Sequence, residues 1–142
     1  MNSSRDEMIK SLKDIVIPKL KEVGFKGSFP HYRRITAEKI NLLTFQFDKW
    51  GGGFVIEISN SNPEGYETHW GEFIKPENLT AHNLNKRKRI QNVMKNNDES
   101  LTEDWFRYDK KVLFGNIYKK VCKQVLKKIP IAEEYWSNGE MN

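Results

Sequence analysis

Apolar and polar residues alternate on both sides of a triple glycine in the middle of the chain. Residues 40–59 consist of two runs rich in β-branched and aromatic side chains, with glycines at 51–53 between them. Such a pattern is typical of a β-hairpin. A turn at residues 51–52 puts the apolar partners on one face, with these pairs: Trp50 with Gly53, Phe47 with Ile56, and Phe45 with Ile58.

The same register predicts a polar opposite face. It sets Gln46 against Glu57 and Asp48 against Val55, because successive side chains of a strand point to opposite sides. We therefore expect the hairpin to bury one face in the core and to present polar groups on the other.

Helical patterns occupy both ends of the chain. Ser4 followed by Glu7 resembles a capping box, and apolar residues recur at helical spacing over residues 5–23. Pro18 should kink or divide this helix after Ile17, and Gly24 suits its left-handed end.

From Asp109 onward the apolar residues again form a helical stripe opposite lysines. We expect Pro130 to stop this long helix, with a last short turn at residues 131–136. The predicted stripe consists of Leu113, Phe114, Ile117, Tyr118, Val121, Cys122, Val125, Leu126 and Ile129.

The remaining segments predict a few further strands. Residues 29–35 form a first strand, with Pro30 at an edge or a strand start, and residues 66–74 form another. We expect loop at 75–103, with a short helix or strand near 86–94 and a solvated turn at 96–100, and then a short strand at 105–108.

Together these elements predict an α+β fold. An antiparallel meander sheet of about four or five strands carries the N-terminal helix and the long C-terminal helix on one face and leaves the other face free. The length of 142 residues predicts a single domain, residues 1–142, with ends frayed at about 1–4 and 137–142.

Composition narrows the class of protein. Aromatic residues make up 12% of the chain, which excludes intrinsic disorder. There are 24 Lys and Arg against 19 Asp and Glu, a net charge of +5, and because the charges are mixed we expect this excess to serve solubility. The one concentrated basic segment consists of Lys86, Arg87, Lys88 and Arg89.

Cys122 is the only cysteine, which excludes an intrachain disulfide and a cysteine-based zinc site. Its place on the apolar side of the last helix predicts a buried core thiol. The apolar runs are short and the N-terminus lacks a signal-peptide core, so we expect a cytoplasmic, bacterial protein with no membrane partner.

Polar side chains on the free sheet face are the main candidates for recognition. Fixed polar groups on strands are pre-organised for binding a polar ligand or a protein, although a solvated face is the plainer interpretation. The candidate binding residues are Arg33, Arg34, Thr44, Gln46, Glu57, His69 and Trp70.

Catalytic and metal-binding alternatives have weaker support. Asp48 and Glu57 are diagonal neighbours in the predicted register, a geometry open to an acid and base pair. A metal site built from His31, His69 and Glu57 lacks any close ligand spacing. No nucleotide-binding or nucleophile motif is present, so we expect no enzyme, no cofactor and no metal.

The segment at residues 86–89 is the basis for a nucleic-acid alternative. Trp70 and Trp105 offer aromatic rings for stacking on bases. Acidic residues follow closely and weaken the patch: Asp98, Glu99, Glu103 and Asp104.

Several segments resemble the bacterial family DUF4304, a domain of unknown function. They are residues 18–25 at the end of the first helix, residues 29–34, residues 40–47 with their Thr-Phe-Gln-Phe run, Arg89 with Ile90, residues 104–106, and a terminal helix before a proline. The later pattern departs from the family where Gln91 replaces an expected glycine. The resemblance implies a tie to toxin immunity and supplies no catalytic residues.

The sequence therefore predicts a non-enzymatic, monomeric or weakly dimeric module that binds a protein through the free sheet face, and the resemblance implies an immunity-type inhibitor as one form of it. The alternatives are nucleic-acid binding through residues 86–89 and, with less support, a small-ligand binder or hydrolase.

Overall fold

Helices at both ends of the chain pack on one face of an antiparallel sheet. The structure is a computed structural model that describes residues 3–95 and 101–142. Its elements are α1 (Ser4–Ser11), a π-helical turn (Leu12–Val16), α2 (Ile17–Glu22), β1 (Lys26–Ser28), β2 (His31–Ile35), β3 (Ile40–Phe47), β4 (Gly53–Ser61), β5 (Tyr66–Glu67), β6 (Phe73–Ile74), β7 (Lys88–Ile90), β8 (Phe106–Arg107) and α3 (Ile117–Asn138), with 3₁₀ turns at Pro76–Asn78, Ala81–Asn83 and Thr102–Asp104.

The main sheet has the strand order β1-β2-β3-β4-β7, and β8 pairs with β4 beside β7. All of these pairs are antiparallel. The predicted α+β class, with its antiparallel meander, is confirmed. The strand predicted at residues 66–74 is instead a small separate hairpin formed by β5 and β6.

The central hairpin has a register two residues away from the predicted one. Phe47 pairs with Phe54, Phe45 with Ile56, and Thr44 with Glu57. The connection is longer than a two-residue turn, because the Asp48 amide donates to the Gly53 carbonyl at 2.9 Å. A shift of two residues preserves the side on which each residue lies, so the predicted faces are right although the pairs are wrong.

The helix-facing side of the sheet forms the main core. Aromatic rings stack along it, with Phe47 and Phe106 on either side of Phe54 at centroid distances of 5.0 and 5.2 Å. The helices supply aliphatic residues and Trp136 to the same cluster. No helix among the described residues is long and apolar enough to cross a membrane.

Pro18 interrupts the α-helical hydrogen-bond pattern of the first helix, because proline has no backbone N–H to donate. The turn before it is π-helical, with the Ile17 amide donating to the Leu12 carbonyl, and the α-helical pattern resumes at Ile17. The division expected near Ile17 is thus confirmed, although the capping box is formed by Ser3 and Asp6 rather than by Ser4 and Glu7. Gly24 has the predicted left-handed conformation, with φ of 100°.

The last helix differs from the prediction at both ends. It begins only at Ile117, because the Asn116 side chain caps it by accepting from the Tyr118 and Lys119 amides. It continues through Pro130 to Asn138. Pro130 lies on the exposed side, where the proline costs about 3 kcal/mol, and burial of the residues beyond it offsets this cost.

The second face of the sheet is not free over its whole length. Leu79, Ala81 and Leu84 from the segment after β6 pack on Ile40 and Leu42, and all five are buried. The expected open face is therefore covered at one end of the strands. The segment after β6 is mostly polar, but its few apolar side chains suffice to cover that end.

The other local predictions are confirmed where they can be compared. The short element expected near 86–94 is β7, and the strand expected at 105–108 is β8. The predicted turn at 96–100 lies outside the described residues. At the C-terminal end, the Asn142 amide donates to the Asn60 carbonyl at 3.1 Å, so the tail that the sequence predicted to be frayed lies against β4.

Candidate functional site

A row of four polar residues crosses the open end of the second face. His31 pairs with Thr44, Thr44 with Glu57, and Glu57 with Arg89, on four neighbouring strands. Directly paired residues share a face, so these side chains lie side by side. We call His31, Thr44, Glu57 and Arg89 the polar row.

Hydrogen bonds fix the members of the polar row in pairs. His31 Nδ1 and Thr44 Oγ1 are 2.8 Å apart. Arg89 Nε donates to Glu57 Oε1 at 3.1 Å, which is also an ion pair. Thr44 and Glu57 are buried, whereas His31 and Arg89 are half-buried. The row therefore presents its two ends to solvent and keeps its centre covered.

An aromatic ring holds Arg89 from a second direction. The Arg89 guanidinium lies over the Trp105 ring at 5.5 Å from its centroid. Trp105 directly precedes β8, which pairs with β4 next to β7. A guanidinium held by a carboxylate and by a ring is restricted in orientation, as recognition of a partner requires.

His82 is added to the polar row by the 3₁₀ turn at Ala81–Asn83. Asn83 Oδ1 accepts from the Thr80 amide at 2.8 Å and thereby caps this turn. The His82 ring stands edge-on to His31 with 5.8 Å between centroids. Sequence reasoning did not assign His82 to the site, because its neighbours in the chain carry no signal of this long-range contact.

The histidines and arginines here influence one another electrostatically. Burial lowers the pKa of His31, and the charges of His82 and Arg33 lower it further. Burial and the Arg87 charge lower the pKa of His82, while Glu57 opposes this shift. The imidazoles are therefore favoured as neutral rings, and the positive charge of the exposed rim comes from the arginines.

Two arginines predicted for the site have structural partners on opposite sides of the sheet. Arg33 Nε donates to the Leu79 carbonyl at 3.0 Å and so ties the covering segment to β2. Arg34 faces the helices, where it bonds both carboxylate oxygens of Glu133 at 2.9 and 3.0 Å. It also lies over the Phe25 ring at 4.7 Å. The structure thus separates Arg34 from the polar row.

The remaining predicted binding residues are placed apart. Gln46 is half-buried next to the row and opposite Val55. His69 and Trp70 lie in the loop of the β5–β6 hairpin, with ring centroids 4.7 Å apart, and the Trp70 indole donates to Glu72. These contacts do not bring His69 and Trp70 into the polar row.

The basic segment at residues 86–89 is divided between two sides of the sheet. Arg89 pairs with Glu57 on the second face, while Lys88 is paired with the core-facing Ile58. Lys88 lies beside Glu134, Tyr135 and Asn138 of α3. Strand alternation therefore places Arg89 on the side of the polar row and Lys88 on the other side. Outside the strand, the Arg87 charge acts on His82, while Lys86 lies 4.0 Å from Glu140.

The geometry weakens the catalytic and metal-binding alternatives. Asp48 lies four residues beyond Thr44, the partner of Glu57, a spacing of about 13 Å along an extended strand. The predicted diagonal contact of Asp48 with Glu57 is therefore wrong. Among the described residues, no group of three or more His, Cys, Asp or Glu side chains is arranged to hold a metal ion.

A groove between α2 and α3 is the other concave feature of interest. It has a volume of about 520 Å³, and its lining is mainly apolar. Its charged lining residues are Lys19, Glu22, Arg34 and Glu133, of which Arg34 and Glu133 are bonded to each other. The polar row is the stronger candidate, because an exposed guanidinium, that of Arg87, lies beside it and its charge acts on His82.

Comparison with known proteins supports one relationship. No curated protein and no solved structure matches the chain significantly. A family model described as a domain of unknown function, DUF4304, matches residues 16–134. This match spans every strand of the sheet and most of α3.

Proposed function

Because the chain belongs to the DUF4304 family, a domain of unknown function, we propose from its geometry that it is a non-enzymatic module that binds an acidic protein partner. The observation that carries this proposal is the polar row with its cationic rim. The cationic rim consists of Arg87, which is exposed, and Arg89, which is half-buried; His82 lies beside them as a neutral ring at the open end of the second face.

The rim supports binding because its charges are held in place before a partner arrives. Arg89 is held by Glu57 and Trp105. A restrained arginine loses little freedom on binding, and arginine is enriched among the residues that dominate interface energies. A carboxylate of the partner is the complementary group, since it can accept two hydrogen bonds from a guanidinium.

The non-enzymatic part of the proposal rests on the environment of the reactive side chains. Burial raises the pKa of the Cys122 thiol to about 12, which opposes a nucleophilic role. Glu57 is committed to its ion pair with Arg89. Asp48 accepts a hydrogen bond from the Trp50 amide, far from Glu57 along the strands.

The biological setting of the proposal follows the sequence expectations. We propose a cytoplasmic module of bacterial origin that acts as a monomer or weak homodimer. An inhibitor of the immunity type is the specific form that the family resemblance implies, with the acidic surface belonging to the toxin.

Two adjacent basic residues just before β7 offer a matched test. Arg87→Glu reverses a charge at the rim, and Lys86→Glu makes the same reversal at an exposed residue directed elsewhere. Tagged wild-type protein and both variants are used to capture partners from nuclease-treated lysate of the source cells. We expect one protein retained by wild type and Lys86→Glu, and lost with Arg87→Glu.

Two results would contradict the proposal. Equal retention of the partner by all three proteins would show that the rim does not contribute to binding. Retention from untreated lysate, in a parallel capture, that is absent from nuclease-treated lysate would favour the nucleic-acid alternative, which the division of residues 86–89 between two sides of the sheet makes the weaker of the two.

A further inference from the structure

Two large apolar side chains project into solvent just before α3. Leu113 is 95% exposed and Phe114 is 91% exposed. The sequence predicted both for the buried stripe of the last helix, but the helix begins only at Ile117. Exposed large apolar residues do not stabilise the folded state. When they are adjacent, they are typical of interaction surfaces.

A third exposed apolar side chain lies at the same end of the molecule. Trp50 is 85% exposed at the tip of the β3–β4 hairpin. The Tyr108 amide donates to the Gly52 carbonyl at 2.9 Å, and the Tyr108 ring lies 6.3 Å from that of Tyr118 in the first turn of α3, so the hairpin and the segment before α3 lie at one end of the fold. We call Trp50, Leu113 and Phe114 the apolar tips.

Basic residues surround the apolar tips. The Lys49 ammonium lies 5.0 Å from the centroid of the Trp50 ring. Exposed lysines also lie in the loop before α3 and in its first turn, namely Lys110, Lys111, Lys119 and Lys120. Two carboxylates lie among them: Asp109, which is 2.7 Å from Arg107 Nη2, and Asp48, whose charge also acts on Arg107. The tips therefore combine apolar projections with an excess of positive charge.

We propose that the apolar tips dock this protein on an anionic lipid surface. Protruding side chains suit a fluid bilayer, because they insert between lipids and need no matching pocket. Lysines behind them attract anionic headgroups, and tryptophan favours the interfacial region. The proposal concerns surface contact alone, and it revises the expectation of no membrane partner, which rested on the short apolar runs.

Sedimentation with vesicles tests this docking. The probes are vesicles of pure phosphatidylcholine and vesicles with about a third phosphatidylserine, a composition that gives a negative surface potential. We expect wild-type protein to partition onto the anionic vesicles and not onto the neutral ones. A blue shift of tryptophan emission, absent in Trp50→Phe, reports insertion of that ring.

Two double variants separate the apolar and charged contributions. Leu113→Ser with Phe114→Ser should lower the partition coefficient at least about tenfold through lost apolar contact. Lys110→Glu with Lys111→Glu should lower it by at least about tenfold as well, because the attraction becomes repulsion. All four positions are exposed, so the fold should be retained.

Matched controls lie elsewhere on the surface. Trp70→Ser removes a 66% exposed ring from a different hairpin. Lys19→Glu with Lys21→Glu makes the same charge change on α2, which packs near the far half of α3. Both controls should bind anionic vesicles like wild type.

Three results would overturn the proposal. The first is no binding of wild type to anionic vesicles. The second is binding that survives the serine substitutions, which indicates general charge attraction. The third is concentration-dependent self-association that the serine substitutions abolish, together with no vesicle binding, which assigns the apolar tips to a second copy of the chain.

Discussion

Replacement of Trp136 by phenylalanine tests how the end of α3 is held. Trp136 is 1% exposed, its ring lies 4.7 Å from that of Phe25, and its indole donates to the Leu42 carbonyl at 3.2 Å. Phenylalanine keeps an aromatic contact but removes the donor and part of the ring. The lost hydrogen bond costs about 1 kcal/mol, and the smaller ring costs about 1–2 kcal/mol through the void it leaves.

We therefore expect Trp136→Phe to lower the free energy of unfolding by about 2–3 kcal/mol. The assay is urea denaturation followed by far-ultraviolet circular dichroism, because the substitution removes a fluorescent residue. The urea dependence should keep its slope, since the surface exposed on unfolding hardly changes.

The same substitution at Trp50 is the matched control. Trp50 is 85% exposed, so its replacement by phenylalanine should change the free energy of unfolding by less than about 0.5 kcal/mol. Equal stabilities of Trp136→Phe and Trp50→Phe would refute the reasoning. They would mean that the helix beyond Pro130 is not packed on the sheet.

Two further predictions concern titrating groups. The pKa values of His31 and His82 are lowered from 6.5 by burial, so the stability they confer is present above that pH and is lost as pH falls through their folded-state values. Urea titrations should show a smaller loss on acidification for His31→Asn with His82→Asn than for wild type, and parallel losses would contradict this. The Cys122 pKa, raised from 9.0 to about 12, makes its thiolate about a thousandfold scarcer near neutral pH. Because a thiolate of higher pKa is also the stronger nucleophile, which offsets part of this loss, a thiol reagent should label the native protein at least about tenfold more slowly than the urea-unfolded protein, and similar rates would show that the thiol is not buried.

Local patterns in the sequence predicted most of the helices and strands, but not where all of them begin and end or how all of them pair. The alternation around residues 51–53 identified the hairpin and its core face, because side-chain periodicity depends on neighbours in the chain. The predicted register was wrong by two residues, because a shift by an even number of residues leaves the periodicity unchanged. Only the geometry of the turn distinguishes such registers from one another. The hydrogen bond between Asp48 and Gly53 makes that distinction.

The last helix shows how tertiary packing overrides local rules. Pro130 is a strong local stop, yet Ala132 and Trp136 are buried beyond it. In the opposite sense, Leu113 and Phe114 fit the helical period but precede the Asn116 cap. Periodicity cannot detect a cap that interrupts it, so the sequence assigned two exposed residues to the core.

The candidate site was predictable only in part. Thr44 and Glu57 were placed on the correct face by strand alternation alone, whereas the pattern did not decide which side of β2 carries His31. His82 and Trp105 come from segments far away in the chain, and nothing in their local sequence indicates where those segments pack. Arg34 was predicted for the same surface, but because it directly follows Arg33 in β2, its side chain lies on the other side of the strand.

The short outer strands of the sheet determine how another chain can approach it. β1 has three residues and contains Gly27, where a Cβ atom would collide with the His31 carbonyl. On the other side, β7 has three residues and β8 has two. Within the described residues, an incoming strand therefore finds only two or three residues to pair with at either margin. Such a sheet resists edge-to-edge aggregation at high concentration, and it obliges a partner to recognise side chains rather than to extend the sheet.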